Sequence, residues 1–418
     1  VKQTAATVRD VARAATVRDV ARAAGVSTAT VSRVLGQQAD APNAQEVQAA
    51  QVAHVAHQTR ARVLAAAASL DYKPNHVARS LKTRSTRTIA ILAPELANDF
   101  FMELAEAMEG ELGKAGYMLL VSSSSNSVAE EERRLRILSQ RLVDGIVVIP
   151  ASRQGSHIQA IADRGTPIVL VDRLVEGASL DSVLADNEGG AWQATTALLA
   201  DGFQRVAFVG GDVALTTARE RLAGFGRAMA DAGLPARDVR LGGMGITDGY
   251  RLMDAILHEP EPPQALFAVN LLVHLGMERR LLEDGRAALQ RFTMASFDET
   301  PYSPFMSACR YAVAQPAAAM GAAAARLILE RIAANGREAT NGREATNGRE
   351  ATNGREATNG REATNGREAA DGREAAGDLA ANQGTTQTGP TTLPRTAHTP
   401  HSLRLPTTLI RHPRDTMT

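Results

Sequence analysis

Polar and aromatic residues suited to gripping a polyhydroxylated ring recur where strand-like runs of this 418-residue chain end. Asn98-Asp99-Phe100-Phe101 follows the apolar run Thr88–Ala93, and Asp172-Arg173 follows Ile168–Val171. Thr217-Ala218-Arg219-Glu220-Arg221 opens a helical stretch after Arg205–Gly210, while Asn270, Asp298 and Gln315 each close a strand-like segment. Aromatic rings pack on ring C–H groups, and planar carboxylates, carboxamides and guanidiniums fix hydroxyls. Each has an ordinary alternative, Phe100 as core or Arg221 as a surface ion pair. Six groups at equivalent places in successive units point instead to one ligand site. Nothing pairs a nucleophile with a base, no metal-ligand cluster stands out, and the nine His are scattered. GGDVALTTARERLAGFG and GGMGITDG carry glycines without forming a dinucleotide fingerprint. The expectation is a binding protein without metal or cofactor, not an enzyme.

The elements that must position these residues alternate. Strand candidates are Thr88–Ala93, Tyr117–Ser122, Gly145–Ile149, Ile168–Val171, Ser182–Ala185, Arg205–Gly210, Ala265–Val269 and Thr293–Ser296. Helix candidates between them are Phe101–Ala115, Glu130–Arg141, Ser156–Arg164, Gly190–Ala200, Arg219–Ala232, Tyr250–Leu257 and Ala317–Ile332. Such alternation predicts an α/β fold with parallel sheets covered on both faces. The number of units suits two doubly wound subdomains, with the ligand at the carboxyl ends of the strands between them.

Charge is unevenly placed along a chain of zero formal net charge. Residues 1–88 carry 13 Lys and Arg against 5 Asp and Glu, and the remainder 33 against 41. A basic amino-terminal segment on an acidic body suggests that the first part meets a polyanion. Within it, Thr16 and Asp19 form a capping-box-like start, and Val17, Val20, Ala21 and Ala24 make an apolar stripe. Gly25-Val26 breaks the helix, and Ser27 can cap a second one that turns Val31 and Val34 inward. The spacing fits either a helix-turn-helix or a plain helical hairpin.

The residues themselves carry a resemblance. TVRDVARAAGVSTATVSRVL at 16–35 resembles the DNA-binding headpiece of the LacI/GalR (lactose-repressor) family. Tyr72-Lys73-Pro74-Asn75 followed by VARSLKT resembles that family's hinge helix, and the likeness extends over 59–334 and 403–412. It implies a sugar-responsive repressor that binds double-stranded operator DNA as a homodimer. Thr28, Ala29 and Arg33 then reach base edges, Ser27, Thr30 and Ser32 suit phosphates, and Leu81, flanked by Arg79 and Lys82, wedges into the minor groove. The regulatory region resembles periplasmic sugar-binding proteins, ribose-binding ones most. That likeness gathers Asn98, Phe100, Phe101, Asp172, Arg173, Arg221, Asn270, Asp298 and Gln315 around a pentose, with Met244 where an aromatic is usual. A purine or sugar-phosphate effector is the alternative, as is a regulator whose DNA binding is impaired by its insertions.

Those insertions are repeats. ATVRDVARA occurs at 6–14 and again at 15–23; residues 36–58 stutter through Gln, Ala, Val and His, longer than the family's loop. From Asn335 the hexapeptide NGREAT runs five times, then NGREAA and DGREAA to Ala376. With no large apolar residue and a glycine in every unit, it reads as an expanded loop that cannot bury a face. The expected domains are a headpiece at 1–74, a hinge at 75–87 and an effector domain at 88–418 with the repeat insertion at 335–402. Cys309 is the single cysteine, excluding an internal disulfide framework. No apolar run approaches a membrane span and no signal-peptide core is visible, so a cytoplasmic protein is expected.

Overall fold

Among the described residues, three short helices form the amino-terminal part in a computed structural model that describes residues 15–39, 57–73, 85–140, 142–306, 308–336 and 400–412. The first copy of the duplicated nonapeptide, residues 40–56, the hinge at 74–84 and the repeats from 337 to 399 lie outside the described residues. Helices α1 (Val17–Ala24), α2 (Thr28–Ala39) and α3 (His57–Ser69) bury Val20, Ala21, Ala24, Val31, Val34, Val63, Ala66 and Ala67 against one another. The expected capping box is present at Thr16 and Asp19, and Gly25 ends α1 at φ +64°, a left-handed turn that favours glycine.

Mostly apolar runs buried on nearly every residue explain the body. In the first subdomain these are β1 (Thr88–Ala93), β3 (Gly145–Val148), β4 (Ile168–Val171) and β5 (Asp181–Ala185), with β2 (Met118–Ser123) at the edge. With β11 (Ser402–Leu405) they form a sheet in the order β11-β5-β4-β3-β1-β2, every pair parallel. Helix α4 (Asp99–Lys114) and a helix at 317–336, here α12, share one buried cluster with this sheet. Helices α5 (Val128–Ser139) and α6 (Ser156–Asp163) contribute to another. A parallel sheet shielded on both faces needs such continuous hydrophobic strands.

The second subdomain repeats the plan with β6 (Val206–Val209), β7 (Val239–Arg240), β8 (Ala265–Ala268), β9 (Thr293–Phe297), β10 (Cys309–Ala314) and β12 (Thr408–Arg411). Their order is β12-β10-β9-β8-β6-β7, with β12 alone antiparallel. It carries α7 (Asn187–Ala200), α8 (Thr216–Asp231), α9 (Ile246–Leu257), α10 (Leu271–Glu283) and α11 (Arg286–Gln290). Helices α9 and α10 touch backbone to backbone. A Cβ on Gly249 would lie 2.0 Å from the Val273 carbonyl oxygen, and one on Gly276 2.0 Å from that of Ile246.

The two-subdomain reading of the sequence holds, with corrections. Helices α10 and α11 and strands β7, β11 and β12 were not foreseen, and β10 was foreseen only as the segment that Gln315 closes. Helix α10 buries Leu271, Leu272, Val273, His274 and Met277, so its apolar residues do not mark one face. Helix α9 begins at Ile246 rather than Tyr250, and α12 runs to 336 rather than Ile332. Among the described residues the chain passes between subdomains three times: after β5, after β10 and between β11 and β12. Among the described residues no helix is long and apolar enough to cross a membrane.

Candidate functional site

The headpiece presents one polar face. Val31 and Val34 turn α2 inward, which leaves Thr28, Ala29, Ser32 and Arg33 exposed on the other side at helical spacing. The Ser27 hydroxyl accepts the Thr30 amide at 3.1 Å and lies 2.9 Å from the Thr30 hydroxyl, so it starts the helix and holds both side chains at its rim. Arg62 of α3 reaches the Gly25 carbonyl at 3.5 Å and steadies the turn. An exposed arginine beside small residues, on a helix backed by a three-helix core, can enter a major groove. Arg79, Leu81 and Lys82 lie outside the described residues.

The linker from this headpiece meets the body at Asp144, just before β3. Its carboxylate accepts the Ser85 hydroxyl at 2.5 Å, the Thr86 amide at 2.6 Å, the Thr86 hydroxyl at 2.8 Å and the Arg87 amide at 3.1 Å. Arg87 also lies over the Tyr117 ring, 5.1 Å from its centroid.

The cleft is built at the opposite ends of the strands. Asp172 after β4 and Asp298 after β9 occupy equivalent places in the two subdomains, and both adopt left-handed backbone, φ +67° and +72°. Each donates its amide to the neighbouring strand, Asp172 to Val183 at 2.9 Å and Asp298 to Val313 at 3.0 Å. Non-glycine residues held there are sparse, and such strain gathers at ligand sites. The carboxyl of Asp172 is pushed above its ordinary range by burial, drawn back by Arg173 and Arg221 and raised again by Asp298 and Glu220.

The arginines are equally enclosed. Arg173 donates to the Pro150 carbonyl at 2.9 Å and stands 3.5 Å from Asp172. Arg221 donates through Nε to Asn187 at 2.9 Å and through Nη1 to the Val269 carbonyl at 2.8 Å, with its guanidinium 3.7 Å from the Phe297 ring centroid. Burial lowers the pKa of both from the ordinary arginine value, against the pull of nearby carboxylates. Gln315 donates to Asp298 at 2.5 Å. Four buried atoms around this cluster have no protein hydrogen-bond partner: Asp172 Oδ1, Arg173 Nε, Thr217 Oγ1 and Gln315 Oε1. Buried polar atoms are costly to leave unpaired, so donors and acceptors collected here call for a polar guest.

The remaining predicted residues are placed less directly. Asn98 and Asn270 cap α4 and α10, accepting the Phe100 amide at 3.1 Å and the Val273 amide at 2.9 Å. Asn270 also donates to the half-buried Met244 through its carbonyl at 3.0 Å. Each carboxamide keeps donor capacity but has spent acceptor capacity on its cap. Phe100 and Phe101 pack with Val171 and Ala185 in the first subdomain's core, their centroids 5.3 Å apart and rings tilted by 58°. At 8% and 3% exposure they offer a guest an edge rather than an open face.

Residues 86–348 match the family described as periplasmic binding proteins and sugar binding domain of the LacI family, and residues 16–75 match the bacterial regulatory proteins of the lacI family. The chain belongs to the LacI family. It is 31% identical over 331 residues, covering 78% of this chain and 92% of the relative, to the HTH-type transcriptional repressor PurR of Vibrio parahaemolyticus serotype O3:K6. Its structure is similar to a lac repressor dimer bound to operator and the anti-inducer ONPF, at 24% identity and a TM-score of 0.66 over 77% of this chain and 94% of that one. It is also similar to a LacI-family transcriptional regulator from Silicibacter pomeroyi, at 26% identity and a TM-score of 0.59 over 76% and 92%. This LacI-family chain is a DNA-binding transcriptional regulator with a ligand-binding domain, not an enzyme.

Thr217, the start of the segment that ends at Arg221, supplies an orphaned hydroxyl. Sequence reasoning passed over two residues of the site. Asn187, the first residue of α7, orients Arg221. Glu95, half-buried after β1, has its carboxyl raised by burial and lowered by Arg173. Asn187 follows a strand end like the others and could have been found by that rule.

Proposed function

We propose that this LacI-family regulator represses from a palindromic operator as a homodimer and answers to an uncharged polyhydroxylated effector, a pentose such as ribose. The observation that carries this reading is the cleft's set of orphaned atoms, two acceptors, one N–H donor and one hydroxyl, beside two buried carboxylates, Asp172 and Asp298, and two buried guanidiniums, Arg173 and Arg221. A sugar's hydroxyls both donate and accept, which suits this set; the two guanidiniums are already matched by the two carboxylates, which leaves no uncompensated positive charge for a phosphate.

The likeness to PurR favours a second reading, a purine base. Phe100, Phe101 and Phe297 are packed in the interior, which removes an open stacking face for a base and a sugar ring alike. The mixed set of orphaned donors and acceptors is what weighs toward the sugar. Self-association is supported by β2, an unpaired sheet edge on which Met118, Leu120 and Val121 are 73%, 42% and 42% exposed.

Coupling of effector and operator is a linkage between two sites, where a few kcal/mol corresponds to roughly a hundredfold change in DNA affinity. Titration calorimetry of the full chain with ribose, xylose, hypoxanthine and fructose 1-phosphate decides between the readings. Heat from a pentose alone is expected. Heat from hypoxanthine alone would transfer the assignment to a purine, and heat from fructose 1-phosphate alone to a sugar phosphate.

A further inference from the structure

A file of polar side chains runs from the cleft to the strand by which the chain last crosses between subdomains. Arg404 on β11 grips Glu220 on α8 with both arms of its fork, Nη1 to Oε2 at 3.0 Å and Nη2 to Oε1 at 2.8 Å. Glu220 also accepts from Asn187 Nδ2 at 3.3 Å, and the other end of that carboxamide accepts Arg221 Nε. Arg404 belongs to the sheet of the first subdomain, whereas Glu220 belongs to a helix of the second. Two of the three crossings are involved, since Asn187 lies just beyond β5 and Arg404 just before the turn into β12.

The first turns of α8 carry two rows at i, i+4 spacing, which places each pair on one face. Thr217 and Arg221 form the row of the cleft. Thr216 and Glu220 form the row that meets the first subdomain: the Thr216 hydroxyl accepts the Leu174 amide at 3.0 Å, and Leu174 follows the ligand pair Asp172-Arg173. One helix end therefore holds a closure contact, an effector arginine and a charged tie to the opposite subdomain.

We propose that the Glu220–Arg404 pair is a positioning strut that sets how far the cleft closes, and that through Asn187 it aims Arg221 before any effector arrives. Its bidentate geometry makes it stronger than a simple surface pair. Its side chains, 25% and 42% exposed, keep it responsive to salt, as suits an adjustable tie. The meaning of closure for sensing rests on the effector reading above; the strut itself is testable without effector.

The test is hydrogen exchange of the full-length, ligand-free chain, read at the Leu174 amide. Glu220→Gln and Arg404→Gln should each speed that amide about three- to tenfold, with strands β3 and β8 unchanged. The double variant should be no faster than either single one, and the swap Glu220→Arg with Arg404→Glu should recover protection. Raising NaCl to about 0.5 M should speed Leu174 in the wild type and not in the single variants. Unchanged exchange at Leu174, additive effects in the double variant, or acceleration spread through the whole second subdomain would each overturn the proposal. Should ribose then fail to bind the wild type, the effector reading falls and the exchange result still decides the strut.

Discussion

Asp172→Asn should make the effector-free protein more stable while crippling its response. Asparagine is the substitution of choice because it tolerates the left-handed backbone at φ +67° and keeps the side chain's shape. The wild-type carboxylate is fully enclosed and one of its oxygens lacks a protein partner. An unsatisfied buried polar atom costs about 1–3 kcal/mol, more when charged, and Arg173 and Arg221 return part of that. A net gain of about 1 kcal/mol follows for the variant at neutral pH, or roughly 2 °C in Tm for a domain of this size. Because burial raises the folded-state pKa, the wild type loses stability as pH climbs above the unfolded value of about 4 and through the folded one. The advantage of the variant should accordingly vanish near pH 4 and be complete above the folded pKa. Binding moves the other way: losing a charged acceptor costs about 1.5–3 kcal/mol, or about 10- to 150-fold in Kd for the pentose. Differential scanning fluorimetry from pH 4 to 8 with calorimetry at pH 7.5 measures both. A variant less stable than wild type at pH 7.5, or a Tm difference independent of pH, would refute the reasoning.

Arg221→Ala should raise the pentose Kd more than about thirtyfold and destabilise the second subdomain by about 3 kcal/mol, since it strands Asn187 and leaves buried carboxylates uncompensated. Met244→Leu should stay within about threefold, and both variants should retain operator affinity without effector in a gel-shift assay. Arg33→Ala should cost about 1–3 kcal/mol on a selected operator and relax one base pair, measured by competition; equal loss on random DNA would remove its base-reading role. Asp144→Ala takes the acceptor from four hydrogen bonds and should lower stability by about 2 kcal/mol in denaturant titration, with a smaller effector-induced change in operator affinity.

What could be read from residues was what repeats a rule. Buried strands announce themselves as TIAILA, GIVV and IVLV, and the strand-end residues Asp172, Arg173, Arg221, Asp298 and Gln315 converge as their equivalent positions suggested. The headpiece was legible for the same reason, its caps and apolar stripe being local. Pairings across long separations were not. Arg404 and Glu220 lie 184 residues apart with the hexapeptide run between them, and neither identifies the other by type. Helix α10 was missed because apolar Leu275 and Leu282 sit on its exposed face beside Arg279 and Glu283, which blurs the helical period in the sequence. The left-handed backbones of Asp172 and Asp298 leave no trace in composition, since aspartate is common in ordinary loops.

The arrangement of β1 and β3 explains how a guest at one end of the first subdomain can be felt at the other. Parallel strands put all amino ends on one side of the sheet and all carboxyl ends on the other. At the amino side, Asp144 fastens residues 85–87 to the start of β3, and β1 begins at Thr88. At the carboxyl side, β1 runs on to Glu95 and Asn98, and β3 leads to Pro150, whose carbonyl holds Arg173. Six residues of extended chain, about 20 Å, separate the two ends. These strands are almost wholly buried and close-packed, so they move as a block rather than stretch. We propose that a tilt of the first subdomain against the second on effector binding would reach residues 85–87 as a change of position and not of shape, with Asp144 as the fastening through which it passes.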